Sequence, residues 1–225
     1  MMTATVSSNA IAIPPLREWH SATWEDYITL RDAPIKERLK LAYNQGKLWV
    51  DMGGEGINHS IVSDLFTSLL FFWAIKRPEK MFTSLGRCLI EKPETQACAP
   101  DLVLYIGEDY PQYKPGEPDR INLTQWRVPN LVGEISDTTL ADDLDQQKHL
   151  YEALEIPEYW VIDVRGKRVF AFQLQEGKYN ICTESLALNG LQISVLEETL
   201  KRLSEGTNTS AAAWFTQQIV NLSNS

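Results

Sequence analysis

The spacing of apolar and polar residues in the first half of the chain predicts a hairpin followed by a helix. Thr23 is typical of an N-cap for a short helix through about Arg31. Residues 39–52 alternate around Asn44-Gln45-Gly46, which predicts a β-hairpin. From Ile57 to about Lys76 the apolar residues cover more than one face, which predicts a long, largely buried helix.

The second half predicts a strand, a helix and a strand, followed by hairpins. Apolar runs at 131–135 and 159–164 flank an amphipathic segment over about 140–155. Two amphipathic helices, at about 195–203 and 210–222, close the chain. The fold class expected from this order is α/β, or more strictly α+β: one central mixed sheet with antiparallel strands early, a βαβ step in the middle and flanking helices.

Length and composition favour one main domain. With 225 residues, of which 44% are hydrophobic, the chain can bury one sizeable core. We expect a flexible N-terminal lead-in at 1–22, the main domain at 23–204 and a C-terminal helical extension at 205–225. Residues 108–128 are rich in Pro, Gly and charge, which predicts an irregular excursion.

Charge and cysteine content narrow the function classes. A net charge of −9 argues against a large nonspecific nucleic-acid footprint, although it is compatible with a locally positive cleft. The three cysteines are odd in number and widely spaced, which predicts a reducing, cytoplasmic setting without a disulfide frame or a zinc site. No apolar run approaches the roughly 18 residues needed to span a bilayer, so we expect no membrane segment.

Three residues at the edges of predicted elements could carry chemistry. Asp101 follows Pro100 at the start of an apolar run, Glu134 ends another run, and Lys148 lies beside the apolar stripe of the next helix. A divalent metal that activates water for attack on a phosphodiester needs carboxylate oxygens, and a nearby cation offsets the developing charge. These three residues supply that set.

Each candidate also has a purely structural interpretation. Asp101 could cap a turn, and Glu134 could pair with Lys148 in a structural salt bridge. His59 at a helix start is more often a cap or a packed ring than a ligand. Glu55, in the Gly-rich loop before that helix, could join a metal shell but could equally be solvated.

The motifs resemble those of the PD-(D/E)XK nuclease superfamily and, more narrowly, its Uma-type family of restriction-endonuclease-like proteins. The resemblance covers roughly 24–203 and includes the hairpin with Gly46 and the His59 that begins the buried helix. Its sequence motifs are WEDY, APDLVL, PNLVGEIS and, most specific of all, DDLDQQKHLYEALEIPEYWVID at 142–163.

This resemblance implies roles for individual residues. Asp101 and Glu134 would be metal ligands, with the Ile135 carbonyl as a third. The superfamily triplet places lysine two residues after the glutamate, where this chain has Ser136. In the family the lysine function moves to the following helix, which implies Lys148, with Gln147 as a neighbouring candidate.

A second departure from the family lies in the hairpin. Ala42 stands where many relatives carry an acid, which would thin the metal shell.

Three functions remain open from the sequence. The first is an endonuclease that hydrolyses DNA with Mg²⁺ or Mn²⁺. The second is a catalytically silent module with the same fold, which could form a homodimer through exposed aromatic residues and the C-terminal helices. The third is a metal-dependent hydrolase of another phosphoester.

Overall fold

The computed structural model describes residues 13–34, 39–53, 55–79 and 81–222. In these residues the strands are β1 (Trp19–Ser21), β2 (Leu39–Asn44), β3 (Lys47–Met52), β4 (Phe82–Ser84), β5 (Ile90–Lys92), β6 (Gln96–Cys98), β7 (Leu102–Ile106), β8 (Ile121–Asn122), β9 (Leu131–Ser136), β10 (Glu158–Asp163), β11 (Arg168–Gln175) and β12 (Lys178–Cys182). The helices are α1 (Trp24–Arg31), α2 (Ile57–Ile75), α3 (Leu140–Asp143), α4 (Gln146–Ala153), α5 (Ile193–Glu205) and α6 (Asn208–Leu222).

The strands form two mixed sheets, whereas the sequence predicted one. The order in the first sheet is β1-β3-β2-β6-β5-β8 and in the second β12-β11-β10-β9-β7-β4. The chain leaves the second sheet after β4 and returns to it at β7, and the segment between them adds β5 and β6 to the hairpin. The α/β fold class with a mixed sheet flanked by helices is therefore confirmed, and the structure adds a second mixed sheet to it.

Three apolar clusters hold the layers together. The first lies between the second sheet and helices α2, α5 and α6. The second lies between the two sheets and includes the inner face of α4. The third lies between the first sheet and α1. Strands buried on both faces explain why several segments are continuous apolar runs rather than alternating ones.

The predicted βαβ step is present, but its helix is interrupted. Strands β9 and β10 are parallel, with Glu134 opposite Val161 in the register. The connection consists of the short α3 and then α4, separated by Leu144 and Asp145. Because of this break, the residues of α4 that face the sheet cannot be deduced from the helical spacing of the residues before it.

Parts of both chain ends belong to the packed body. Residues 1–12 of the predicted lead-in lie outside the described residues, but β1, which was not predicted as a strand, pairs with β3. Helix α6 contributes Ala211, Phe215 and Ile219 to the first cluster. The boundaries predicted at 22 and 204 stay predictions.

The excursion at 108–128 is anchored at its end. Its short strand β8 pairs in parallel with β5. The Arg127 guanidinium donates to the carbonyl oxygens of Ile106 and Asp109, at 2.8 Å each. Among the described helices, none is long and apolar enough to cross a membrane.

Candidate active site

A cavity of about 340 Å³ opens at one rim of the layer between the two sheets. Asp101 precedes β7, and Glu134 lies on the adjacent strand β9. Because side chains alternate along a strand, both carboxylates share the face that carries Val103 and Val132. The topology thus brings the two acids predicted from sequence into one cleft.

Asp101 is held by three donors. Its Oδ2 accepts from the Ile135 N–H at 2.8 Å and lies 3.0 Å from His59 Nε2, and its Oδ1 lies 3.1 Å from Lys40 Nζ. Burial acts to raise the pKa of Asp101, but Lys40, His59 and the Ile135 N–H together hold that pKa below its usual range. Asp101 is therefore a carboxylate at neutral pH.

Glu134 is equally buried but has fewer donors. Its Oε2 accepts from Lys40 Nζ at 2.9 Å, and its Oε1 accepts a short hydrogen bond from the Tyr151 hydroxyl. Burial raises the pKa of Glu134 above that of a solvated glutamate; Lys40 opposes this rise, and the charges of Asp101 and Asp143 add to it. A cation other than Lys40 would stabilise the charged form further.

Lys40, which the sequence analysis missed, bridges the two carboxylates. It lies on β2 two residues before Ala42, so both face the layer between the sheets. One feature of the sequence could have indicated Lys40: it shares a strand face with Ala42, which is small and apolar, so both were expected to point the same way. The position of Ala42 itself is filled by packing, since its side chain is 3% exposed.

The structure places Lys148 against an aromatic ring, and its predicted role beside the carboxylates stays a prediction. Its Nζ lies 4.8 Å from the centroid of the Phe172 ring, and Lys148 is absent from the described residues that line the cleft. The inner face of α4 is set by Tyr151, whose hydroxyl reaches Glu134. Lys148 lies three residues before Tyr151, so its side chain points toward β11 instead. The break between α3 and α4 changes which residues of α4 face the sheet, and this change could not be predicted from the sequence.

Gln147 and Ser136 are buried close to this site without lining the cleft. Gln147 lies one turn before Tyr151 on α4, and its Oε1 has no hydrogen-bond partner in the part of the chain that the structure describes. Ser136, which occupies the position of the triplet lysine, donates from Oγ to Asp143 at 2.6 Å. Thr139 Oγ1 donates to the same Asp143 oxygen at 2.6 Å. Ser136 therefore positions a third acid.

Glu55 and His59 form the opposite wall of the cleft. Glu55 Oε2 lies 3.3 Å from His59 Nδ1, and Glu55 Oε1 lies 3.1 Å from Arg87 Nε. Burial lowers the pKa of His59, but Asp101 and Glu55 raise it to above the usual histidine value. One donor atom from each of Glu55, His59 and Asp101 lies within 4.8 Å of the others.

Comparison with known proteins agrees with this architecture. A family model named Uma2 and described as "Putative restriction endonuclease" matches residues 24–208. A crystal structure from Anabaena variabilis, described as a "putative nuclease belonging to DUF820", is similar over 86% of this chain and 99% of that chain. The TM-score is 0.50 at 18% identity, so this likeness shows the fold alone. No protein of curated function matches the chain.

Proposed function

Because the chain belongs to the Uma2 family of restriction-endonuclease-like proteins, we propose that it is a divalent-metal-dependent endonuclease that hydrolyses DNA phosphodiester bonds. The convergence of Asp101, Glu134 and Lys40 in one cleft, from three separate strands or strand ends, carries the proposal. Two acids and a lysine are the groups that this reaction needs.

The donor set fits Mg²⁺ or Mn²⁺. Asp101 and Glu134 offer hard carboxylate oxygens on one side of the cleft. The Ile135 carbonyl is a third donor, because the N–H and C=O of one strand residue point to the same side and the Ile135 N–H already points at Asp101. A divalent ion held there would lower the pKa of a water molecule and neutralise charge on the phosphate.

Lys40 takes the role that the sequence assigned to Lys148. Its Nζ contacts both carboxylates, so an ion that binds between them requires Lys40 to give up at least one contact. The released ammonium would then polarise the attacking water or a phosphate oxygen, whose negative charge grows toward the transition state.

Buried groups around Glu134 would keep it in place. Tyr151 donates to Oε1 from α4, which fixes the carboxylate orientation without occupying the oxygen that faces Lys40. Asp143, held by Ser136 and Thr139, adds negative charge beside the cleft and thereby favours a cation in it.

Two arginines at the cleft would contact DNA phosphates. Arg17 and Arg87 line the cavity with half-exposed side chains, and each is paired with a single carboxylate at the rim, Asp51 and Glu55 respectively. Two arginines at the cleft would allow DNA to bind there although the net charge of the chain is −9. The affinity for DNA should then fall as the salt concentration rises.

The test is nicking of supercoiled DNA and cleavage of single-stranded DNA in Mn²⁺. Asp101→Asn and Glu134→Gln should each abolish cleavage, whereas Asp64→Asn, an exposed acid on α2, should leave it unchanged. Cleavage by the folded Asp101→Asn and Glu134→Gln variants at the wild-type rate would refute the proposed site.

The second candidate is a catalytically silent binding or assembly module of the same fold. It is favoured by one observation: Lys40 already neutralises both acids, as a structural salt bridge would. Calorimetric titration with Mn²⁺ separates the two functions. Uptake that weakens in Asp101→Asn supports the nuclease, and the absence of uptake together with the absence of nicking supports the silent module.

A further inference from the structure

A second cavity, of about 380 Å³, lies beside the connection between β4 and β5. Its walls come from α1, β5 and the excursion at 108–128. Arg87 lines the proposed catalytic cleft, and the next residue along the chain, Cys88, lines the second cavity. The two cavities are therefore neighbours, separated by a backbone turn in which the Cys88 N–H donates to the Leu85 carbonyl oxygen at 3.1 Å.

Three aromatic side chains line the second cavity: Trp24, Tyr113 and Trp126. Trp24 is held in place by ring contacts with Tyr27 and Tyr43, at centroid distances of 4.7 and 5.2 Å. Trp126 packs against the second apolar cluster, whereas Tyr113 is 70% exposed. Rings of this kind give a planar ligand surfaces on which to stack, and every nucleobase has such a planar face.

A lysine covers one of these rings without being firmly held. Lys114 Nζ lies 5.7 Å from the centroid of the Trp126 ring. The same nitrogen lies 3.8 Å from Glu117, and the Lys114 side chain is 61% exposed. Exposed ion pairs contribute little to stability, so a planar ligand can displace Lys114 from the ring at small cost.

The charges around the second cavity balance, which favours an uncharged ligand. Three cations and three acids line it: Arg31, Lys114, Arg120, Glu91, Glu117 and Asp119. The buried Glu91 carboxylate already contacts both arginines, Arg31 Nη1 at 2.7 Å and Arg120 Nε at 2.6 Å. A phosphate therefore finds no surplus of positive charge in this cavity, whereas a nucleobase needs none.

Polar side chains in the cavity wall offer partners for the edge of a base. Gln112 and Gln125 are exposed, and each carries an amide donor and an amide acceptor. Arg120 contacts Glu91 through Nε, and the terminal nitrogens of a guanidinium carry further N–H donors. Base edges present both donors and acceptors, so this mixture of groups fits a base.

We infer that the second cavity binds one unpaired nucleobase, which stacks on Trp126 and Tyr113 and belongs to the DNA strand whose phosphodiester occupies the cleft. The inference rests on the proposed function for the identity of that strand. A base held inside a duplex cannot enter a pocket, so the second cavity makes single-stranded or locally unpaired DNA the preferred substrate.

The direct test titrates the full chain into a fluorescent nucleoside without a phosphate, 2-aminopurine deoxyriboside. Stacking on the aromatic side chains should quench its fluorescence in a saturable manner. Trp126→Leu and Tyr113→Ser should each weaken this binding about fivefold or more, because each removes a stacking surface. The matched control is Trp214→Leu, which removes a half-buried tryptophan with an arginine over its ring on α6 and should bind the nucleoside as the wild type does.

Affinity for DNA gives a second measurement, made without divalent metal so that no strand is cleaved. Tyr113→Ser should bind a single-stranded oligonucleotide about fivefold more weakly or worse, while its affinity for a fully paired duplex changes less than about twofold. Because Tyr113 is exposed, this variant keeps the test decisive if Trp126→Leu does not fold. Circular dichroism confirms which variants are folded.

The outcomes separate this inference from the proposed function. A nucleoside that the wild type does not bind, or that folded Tyr113→Ser and Trp126→Leu bind equally well, overturns the base site even if nicking depends on Glu134. Displacement of the nucleoside by inorganic phosphate also overturns it, because that result identifies an anion site. Nucleoside binding that depends on Tyr113, in a protein that cleaves no DNA, supports the base site and refutes the nuclease.

Discussion

Replacing Lys40 by methionine separates its structural role from its chemical one. Nζ lies 3.1 Å from Asp101 and 2.9 Å from Glu134. At an effective dielectric constant of about 20, each contact corresponds to a gross attraction of about 5.5 kcal/mol when its carboxyl group is ionised. Desolvation offsets most of this attraction, and removing one partner of a buried pair typically destabilises a protein by about 3–5 kcal/mol.

The loss in Lys40→Met should lie at the lower end of that range, about 3 kcal/mol. The Lys40 side chain is 30% exposed, so water already screens part of its charge. Glu134 can also take up a proton once Lys40 is gone, because burial already raises its pKa. Metal binding should change in the opposite direction: without the competing ammonium, Mn²⁺ should bind more tightly than in the wild type.

The assay combines DNA nicking, Mn²⁺ titration and denaturant unfolding at equal folded concentration. Lys40→Met should cleave about 100-fold more slowly or worse, as expected for loss of a group that stabilises the transition state. The matched control is Lys148→Met, which removes a lysine from the Phe172 ring and should cost about 0.5–1 kcal/mol with little effect on cleavage. Wild-type cleavage in Lys40→Met, with loss of cleavage in Lys148→Met, would refute the assignment.

Three further substitutions test the surroundings of the site. Tyr151→Phe removes the donor to Glu134 and should destabilise the protein by about 1–2 kcal/mol in denaturant unfolding; unchanged stability would contradict this role. The folded pKa of Glu134 is raised, so wild-type stability should fall as the pH rises above about 4.3, the value for an unfolded glutamate. The stability of Glu134→Gln relative to the wild type should therefore increase between pH 5 and pH 8, and a flat difference would argue against the raised pKa. In Gly86→Ala the new Cβ would lie 2.5 Å from the Asp101 carbonyl oxygen, so we expect a loss of about 2 kcal/mol or more together with impaired cleavage, and wild-type behaviour in both would contradict this.

Elements formed by residues close together in the sequence, such as the hairpin and the long helix, were predicted well from the spacing of apolar residues. The hairpin of β2 and β3 was predicted from its alternation and from Gly46, which adopts a φ of 89° in the turn. Helix α2 was predicted to begin at Ile57, as it does. The division into two sheets was not predicted, because strand pairing between distant segments leaves no local periodicity.

The two acids of the site were predictable because each lies at one edge of an apolar run. Asp101 precedes the run that forms β7 and Glu134 lies in the run that forms β9, and burial without a partner is costly for a carboxylate. Lys40 was harder to predict as a site residue, because a single lysine in a hairpin strand usually lies on the solvent-exposed face. Its burial arises only when β7 and β9 lie against the first sheet, which is a tertiary fact.

A lysine on β2 can replace one on the motif strand because electrostatic catalysis depends on where a charge lies in space. Ser136 is fully engaged with Asp143, so the position two residues after Glu134 supports the site through a hydrogen bond instead of a charge. The face of β2 that lines the same cleft then provides the ammonium from the opposite sheet. A nuclease organised in this way would tolerate loss of the triplet lysine as long as the two sheets keep their spacing, which makes the packing around Ala42 and Trp49 a determinant of activity.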